Sequence, residues 1–335
     1  MTIRVFQVDP APTLMPYDYE KEAIAQAGGE FVIGDCHTED DVLSQAGDAE
    51  ILLVSWKHIV TPRVMDELPH VRLLARWGVG YDQFDPAAAQ ARGIAVANTP
   101  NYCTEEVAEH TIALLLSAAR RVPHFHQEFR AGAWPHYRAR PIYRLAGRTL
   151  GLVGLGRIGA AVAWRARGLG LRVIAADPYL NPDQIRERGA EPRSMDELLA
   201  EADYISLHVA LSPATRHLIN ADALNHMQPH AILINTCRGP VVDEGALVDA
   251  LASGRIGGAA LDVFESEPLS ADSPLRALDN VIMTPHAAAY SEQSWFGLRE
   301  EMVQVVTDWM RESWCRSVVN PGVRENLRPR LKSTE

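Results

Sequence analysis

Thr149-Leu150-Gly151-Leu152-Val153-Gly154-Leu155-Gly156-Arg157-Ile158-Gly159 reads as a short apolar strand running through G-x-G-x-x-G into a helix. Each glycine of the triplet has its own mechanical reason. Gly154 permits a tight turn, Gly156 lets a pyrophosphate approach the backbone, and Gly159 allows the helix to pack closely on the strand. The helix that follows offers N–H groups without intrahelical partners and a partial positive charge, which suit an anion. The next strand, 171–176, ends in Asp177, close to the spacing of about 20 residues at which a carboxylate meets a ribose 2′-hydroxyl. A carboxylate there repels a 2′-phosphate, so the stretch predicts NAD rather than NADP. A purely structural turn followed by an unrelated helix-capping aspartate is the competing reading of the same residues.

On both sides of this stretch, short β-branched or apolar runs alternate with longer helical patterns. Strands are expected at 3–8, 30–33, 51–56, 72–76 and 94–97, and again at 149–153, 172–176, 204–208, 231–235, 258–263 and 281–283. Near-continuous apolar strands separated by helices imply parallel sheets covered on both faces, so the two series predict two doubly wound α/β domains. Between them Thr104 is placed to cap a helix, with Glu105 and Glu106 in its first turn and Arg120 and Arg121 in its last. Residues 130–147, rich in Arg, Pro and aromatics, read as a loop. Over 291–312 a helical period aligns Trp295, Leu298, Met302, Val305, Val306 and Trp309 on one face. Packing of that face on the first series would make the first domain discontinuous, 1–100 plus 291–335, around a second domain of 101–290.

The 335 residues are 47% hydrophobic and 22% charged, a globular composition large enough for two cores. Thirty-two basic against 43 acidic residues leave a net charge of −11, which repels phosphate backbones and anionic lipid and argues against nucleic-acid or membrane partners. Four cysteines, at 36, 103, 237 and 315, have neither C-x-x-C nor metal-finger spacing and are expected as reduced thiols of a cytoplasmic chain. The N-terminus lacks the apolar core of a signal peptide, and the most apolar stretch, 112–119, is far short of the roughly 20 residues of a membrane span.

In an open α/β sheet the ligand lies outside the carboxyl ends of the strands. The residues that follow the second series of strands are Asp177, His208, Arg238, Asp262 and His286, with Glu267 in the loop beyond Asp262. Taken singly, His286 is a loop histidine after a proline, Arg238 a surface or phosphate contact, and Glu267 a solvated turn residue. Together and in this order, beside a nucleotide loop, they point to chemistry on a nicotinamide ring.

The motifs Gly154–Gly159, Asn235-Thr236-Cys237-Arg238-Gly239, Ala260-Leu261-Asp262-Val263-Phe264-Glu265-Ser266-Glu267-Pro268 and Thr284-Pro285-His286 resemble those of the D-isomer-specific 2-hydroxyacid dehydrogenase family. So do Gly78-Val79-Gly80-Tyr81-Asp82 and residues 98–120, so that the resemblance spans nearly the whole chain. The C-terminal-binding-protein-like branch is the most similar, through Asp177-Pro178-Tyr179, Glu265-Ser266-Glu267-Pro268-Leu269 and Tyr290-Ser291-Glu292-Gln293.

The resemblance implies a Rossmann NAD-binding domain, a flavodoxin-like substrate domain and a homodimer formed through the former. It also implies a catalytic set of Arg238, Glu267 and His286. A histidine suits proton exchange with a substrate hydroxyl because an imidazole titrates near neutrality. A carboxylate beside it stabilises its charged form. Arginine offers a planar fork for a carboxylate and its adjacent carbonyl, which lysine does not reproduce.

Implied cofactor contacts are Arg157 and Ile158 at the pyrophosphate, Asp177 at the ribose and Thr104 from the connecting helix. Thr236, the Arg238 main chain and the Asp262 side chain would hold the nicotinamide carboxamide. Cys237 is a packing residue whose backbone faces the ring, and His208 either lines the adenosine side or is structural. Val79 and Gly80 N–H groups would bind the substrate carboxylate and Arg76 the keto acid. Lys57 is a further candidate, which with Arg76 and Arg238 would suit a second anionic group; a solvated loop charge is its simpler reading.

One departure stands out. The branch carries a tryptophan where this chain has Ala287-Ala288-Ala289, which opens the pocket unless Trp77, Tyr102 or Trp134 refills it. Two other readings remain: an NAD(H)-sensing corepressor-like interaction protein, and a dehydrogenase of phosphite or another small oxyanion. Formate enzymes carry glutamine at the position of Glu267, which argues against formate.

Overall fold

The computed structural model describes residues 2–134 and 141–330. The chain divides into two units, Met1–Cys103 with Ser291–Glu335 (unit 1) and Thr104–Tyr290 (unit 2).

Unit 1 contains strands β1 (Ile3–Gln7), β2 (Gly29–Ile33), β3 (Ile51–Val54), β4 (Leu73–Arg76) and β5 (Ala95–Ala97). They form one parallel sheet in the order β2-β1-β3-β4-β5, the flavodoxin-like order. Every residue of β3 and β4 is buried, as unbroken Leu/Ile/Val runs require when both faces of a sheet are covered. One cover is the Glu292–Met310 helix. It starts at a capping box in which Ser291 and Ser294 side chains each accept the other's backbone N–H. Leu298, Met302, Val305, Val306 and Trp309 of this helix are buried in a cluster with Val5, Ile51 and Leu73. Each such side chain contributes roughly 1.5–3 kcal/mol by leaving water. Arg299 closes a two-pronged ion pair, 2.7 Å on each prong, with Glu20 of the Asp18–Gln26 helix.

Unit 2 contains β6 (Thr149–Val153), β7 (Arg172–Ala176), β8 (Glu191–Pro192), β9 (Tyr204–Leu207), β10 (Ile232–Asn235), β11 (Gly258–Leu261) and β12 (Val281–Met283). Their parallel order is β12-β11-β10-β9-β6-β7-β8, so the winding direction reverses between β6 and β9. This is the Rossmann order extended by one strand, with its ligand crevice outside the carboxyl ends at the reversal.

Where structure and sequence expectation part, the causes are local. β3, β9 and β11 stop one or two residues before the expected ends, because Ser55, His208 and Asp262 already leave the sheet at its carboxyl edge. The unexpected β8 is a two-residue edge strand whose proline is tolerated because no further strand needs its N–H. Thr104 is the first helical residue of the Thr104–Arg120 helix, not its cap. Past Arg121, which takes a left-handed conformation (φ 52°), a second helix runs over Val122–Arg130 with Pro123 in its first turn. Of the loop expected over 130–147, residues 135–140 lie outside the described residues. The four cysteines are free, and no helix among the described residues is long and apolar enough to cross a membrane.

Candidate active site

The three glycines after β6 are required by three different neighbours. A side-chain carbon on Gly154 (φ +89°) would lie 2.7 Å from the His208 carbonyl oxygen, and one on Gly159 would lie 2.5 Å from the Gly154 oxygen. One on Gly156 would meet no protein atom within 4 Å, and Gly156 is exposed. Packing therefore explains the outer two, while the middle glycine leaves open space at the N-terminus of the Arg157–Gly168 helix. That helix has no side-chain cap, and the first N–H groups of a helix have no intrahelical acceptor. The residues present thus fit the pyrophosphate of a dinucleotide. Arg157 is exposed beside the opening and Ile158 is half-buried.

Asp177, at the end of β7, accepts from Leu155 N (2.8 Å) and Tyr179 N (2.9 Å), so it also props the loop. Beneath Gly154, the His208 ring contacts Ser206 Oγ at 2.9 Å. Burial pulls its pKa down to about 4, which keeps the imidazole neutral at pH 7 and suits a supporting role.

Beyond β10 the chain turns sharply around Asn235, which is buried. Its Nδ2 donates to Arg238 O (2.9 Å), and its Oδ1 accepts from Cys237 N (3.0 Å) and Cys237 Sγ (3.1 Å). Burial pushes the Cys237 thiol up to about 11, so it is protonated and not a nucleophile. Thr236 Oγ1 is 2.8 Å from Thr111 Oγ1 of the Thr104–Arg120 helix. Gly239 is fixed by the segment after β11: a side-chain carbon on it would lie 1.8 Å from Phe264 O. The Arg238 turn and the 264–267 loop therefore touch backbone to backbone.

Glu267 Oε1 accepts from Phe264 N (3.0 Å), and Oε2 meets His286 Nδ1 at 2.7 Å. Burial alone would raise the Glu267 carboxyl. The hydrogen bond and charge of His286, the Phe264 N–H and the Arg238 charge outweigh it and hold Glu267 below the usual carboxylate range. Glu267 is thus an anion at neutral pH.

His286 itself has φ 53°, a left-handed conformation uncommon for a side-chain-bearing residue. Asp262 holds it there. The Asp262 carbonyl accepts His286 N (2.8 Å), and its fully buried carboxylate accepts Thr284 Oγ1 (2.5 Å), Ala287 N (2.9 Å) and Ala288 N (2.9 Å). His110 Nε2 lies 3.0 Å from Thr284 Oγ1 and extends the network to the connecting helix. The Asp262 carboxylate was expected at a carboxamide; in this structure it lies beneath the histidine turn, where those donors engage it.

In unit 1, Arg76 ends β4 and is buried, its guanidinium carbon 5.2 Å from the centre of the Trp56 ring. Gly78 N donates to Thr99 Oγ1 (2.8 Å) and Asn98 Nδ2 donates to Val79 O (2.6 Å), which fixes the turn carrying Val79 and Gly80. Lys57 does not join them. Its Nζ donates to Cys36 O (2.5 Å) and lies 3.0 Å from His37 Nδ1, so the charge is engaged within its own loops. Asp9 shapes that region by accepting from the N–H groups of Ser55, Trp56 and Lys57. Trp77 is buried against Tyr17 with Nε1 donating to Gln7 Oε1 (2.8 Å).

Asn235, Gly239, Thr284, His110 and Asp9 support these groups, yet the sequence reading gave none of them a role. Asn235, Gly239 and Thr284 stood within the quoted motifs, whereas the signal of His110 and Asp9 was only a polar residue beside an apolar run.

Residues 112–288 match the family model described as D-isomer specific 2-hydroxyacid dehydrogenase, NAD binding domain. The chain is 42% identical over 285 residues to a glyoxylate reductase of Korarchaeum cryptofilum, covering 84% of this chain and 86% of that protein. It is 38% identical over 311 residues to a D-3-phosphoglycerate dehydrogenase of Methanocaldococcus jannaschii, covering 92% of this chain but only 59% of that one. Among solved structures it resembles the NADPH-dependent glyoxylate/hydroxypyruvate reductase of Sinorhizobium meliloti in complex with NADP and malonate. That likeness has a TM-score of 0.83 at 32% identity and covers 99% of this chain and 100% of the other.

Proposed function

The chain belongs to the D-isomer specific 2-hydroxyacid dehydrogenase family, with NAD as its cofactor, and on that premise we propose that it reduces a small 2-keto acid to the D-2-hydroxy acid through Arg238, Glu267 and His286. The observation that carries this reading is the 2.7 Å His286–Glu267 pair, set on a turn anchored by Asp262 and joined to the Arg238 turn at Gly239.

When bound, the reduced nicotinamide supplies the hydride that adds to the carbonyl carbon. The Gly154–Gly159 loop with Arg157 and Ile158 would hold its pyrophosphate, Asp177 its ribose, and the Thr236–Arg238 turn its nicotinamide end. His286 delivers the proton to the carbonyl oxygen. With Nδ1 committed to Glu267, that exchange is assigned to Nε2. Arg238 binds the substrate carboxylate and draws charge toward the carbonyl oxygen as the carbon becomes tetrahedral. In unit 1 the Val79 and Gly80 N–H groups are assigned to a substrate carboxylate. No protein acceptor among the described residues meets either N–H.

The glyoxylate reductases among the relatives favour substrates with little or no side chain, glyoxylate first. For oligomeric state we assign a homodimer. Trp164 is 73% exposed on the Arg157–Gly168 helix, beside Ile112 and Leu116 of the Thr104–Arg120 helix, an apolar patch suited to a second copy.

A panel of 2-keto acids, followed at the absorbance of the reduced nicotinamide with NADH and with NADPH, tests the reading. Turnover of glyoxylate with NADH, at least about tenfold better than with NADPH, is expected from the charge of Asp177. Failure on every keto acid with rapid NAD+ reduction by phosphite would favour the small-oxyanion alternative. Tight NADH binding with negligible turnover would favour the sensor.

A further inference from the structure

Beside the His286–Glu267 pair lies a second histidine–glutamate pair that the mechanism above does not use. His217 Nε2 meets Glu265 Oε1 at 2.5 Å, and both side chains are partly exposed. His217 also stands in a left-handed conformation (φ 52°). That conformation is unfavourable for a residue other than glycine and persists only where its surroundings impose it. Here the surroundings are the Arg238 turn. His217 N donates to Pro240 O (2.8 Å), Ile219 N to Val241 O (3.1 Å) and Asp243 N to Ile219 O (3.0 Å), so residues 217–219 are zipped along 240–243.

His217 therefore holds two segments at once. Its backbone is fastened two residues beyond Arg238, and its ring is fastened two residues before Glu267. Glu265 is pinned from the other side as well, its N–H donating to Glu244 Oε2 (3.1 Å) at the start of the Glu244–Ala252 helix. Between these ties, Gly239 touches the Phe264 and Glu265 backbone. That contact excludes a side chain but supplies no hydrogen bond of its own, so the ring–carboxylate bond is a directional link across the junction.

We propose that His217 is a positioning residue, clamping the turn that carries Arg238 against the loop that carries Glu267 through its bond to Glu265. The proposal rests on the catalytic reading of Arg238 and Glu267. Loss of the clamp lets the guanidinium and the carboxylate drift relative to each other, and misplacement by about 1 Å can cost up to a hundredfold in rate. The glycine loop after β6 takes no part in these ties, so the hold on the pyrophosphate stays in place and NADH affinity changes little.

The test compares His217→Ala, His217→Gln, Glu265→Ala and the His217→Ala/Glu265→Ala double variant, with Arg238→Lys and Glu267→Gln as references. Each is read for kcat/KM with glyoxylate, NADH affinity by fluorescence, and thermal midpoint. A glutamine amide can donate from near the position of Nε2, so His217→Gln should stay within about threefold of wild type, while His217→Ala falls about tenfold. NADH affinity should hold within twofold. The double variant should be no worse than the poorer single, because both remove one bond. If His217→Ala does not fold, Glu265→Ala removes the same bond from the other side and must show the same loss.

Unchanged kcat/KM in either alanine variant, or a loss that glutamine does not rescue and that NADH affinity shares, overturns the clamp. If Arg238→Lys and Glu267→Gln lose activity while His217→Ala keeps it, the clamp alone fails. If those two references also keep full activity, the catalytic reading fails and takes the clamp with it.

Discussion

Arg238 and Glu267 owe their assigned roles to what surrounds each side chain. The Arg238 guanidinium donates to Cys237 O at 2.8 Å and adds its charge to those that keep Glu267 ionised. A lysine would keep the charge and lose the fork. Arg238→Lys should therefore lower kcat/KM for glyoxylate by about a hundredfold, whereas Arg186→Lys, on a solvent-facing helix, should stay within twofold of wild type. Steady-state assays of the two variants side by side check this, and equal rates would remove Arg238 from the catalytic set.

Glu267 sets a pH dependence. Its carboxyl is held below the ordinary range, so the anion persists from neutrality well into acid, and what it contributes is lost only as pH falls through that lowered value. Glu267→Gln removes that anion from His286 Nδ1 and should slow the reaction at pH 7.5 by about tenfold or more. An unchanged rate would contradict the pairing. That Arg238 and His286 lie beyond the carboxyl ends of β10 and β12 was legible in the sequence, because chain direction alone places a residue that follows a parallel strand. The work of Asp262 and Lys57 was not legible. Their partners, the N–H groups of Ala287 and Ala288 and the carbonyl of Cys36, belong to loops whose paths no spacing rule fixes.

Among the elements, the strand–glycine–helix unit of β6 shows how one motif mixes packing with binding. Gly159→Ala would force a side-chain carbon to 2.5 Å from the Gly154 oxygen and should destabilise the fold by about 1–3 kcal/mol in denaturant titrations. Gly156→Ala meets no protein atom within 4 Å and should change stability by less than about 1 kcal/mol while weakening NADH binding at least fivefold. Equal stability losses in the two variants would mean that the middle glycine is there for packing. Eleven of the twelve strands were readable to within a residue at the start and two at the end from apolar runs, since both sheets are buried on both faces. β8 was missed because two residues at a sheet edge need no apolar pattern, and the Val122–Arg130 helix because it buries no side chain from which a period could be read.

At the level of the whole molecule, two parallel sheets with different strand orders are built from one chain, and the Glu292–Met310 helix returns to cover the first. The exposed Trp164 patch on unit 2 is the surface assigned to a second copy. Sedimentation at micromolar concentration should show a dimer, and Trp164→Glu should shift it toward monomer; a monomeric wild type would remove that assignment.

Hydride addition and proton delivery together are the centre of the account, and single-turnover oxidation of enzyme-bound NADH on rapid mixing with glyoxylate reads both in one trace. With occupancy matched by fluorescence, His286→Ala should bind NADH as wild type does and oxidise it about a thousandfold more slowly. A variant that oxidises bound NADH within tenfold of the wild-type rate would contradict the assignment of the proton to His286.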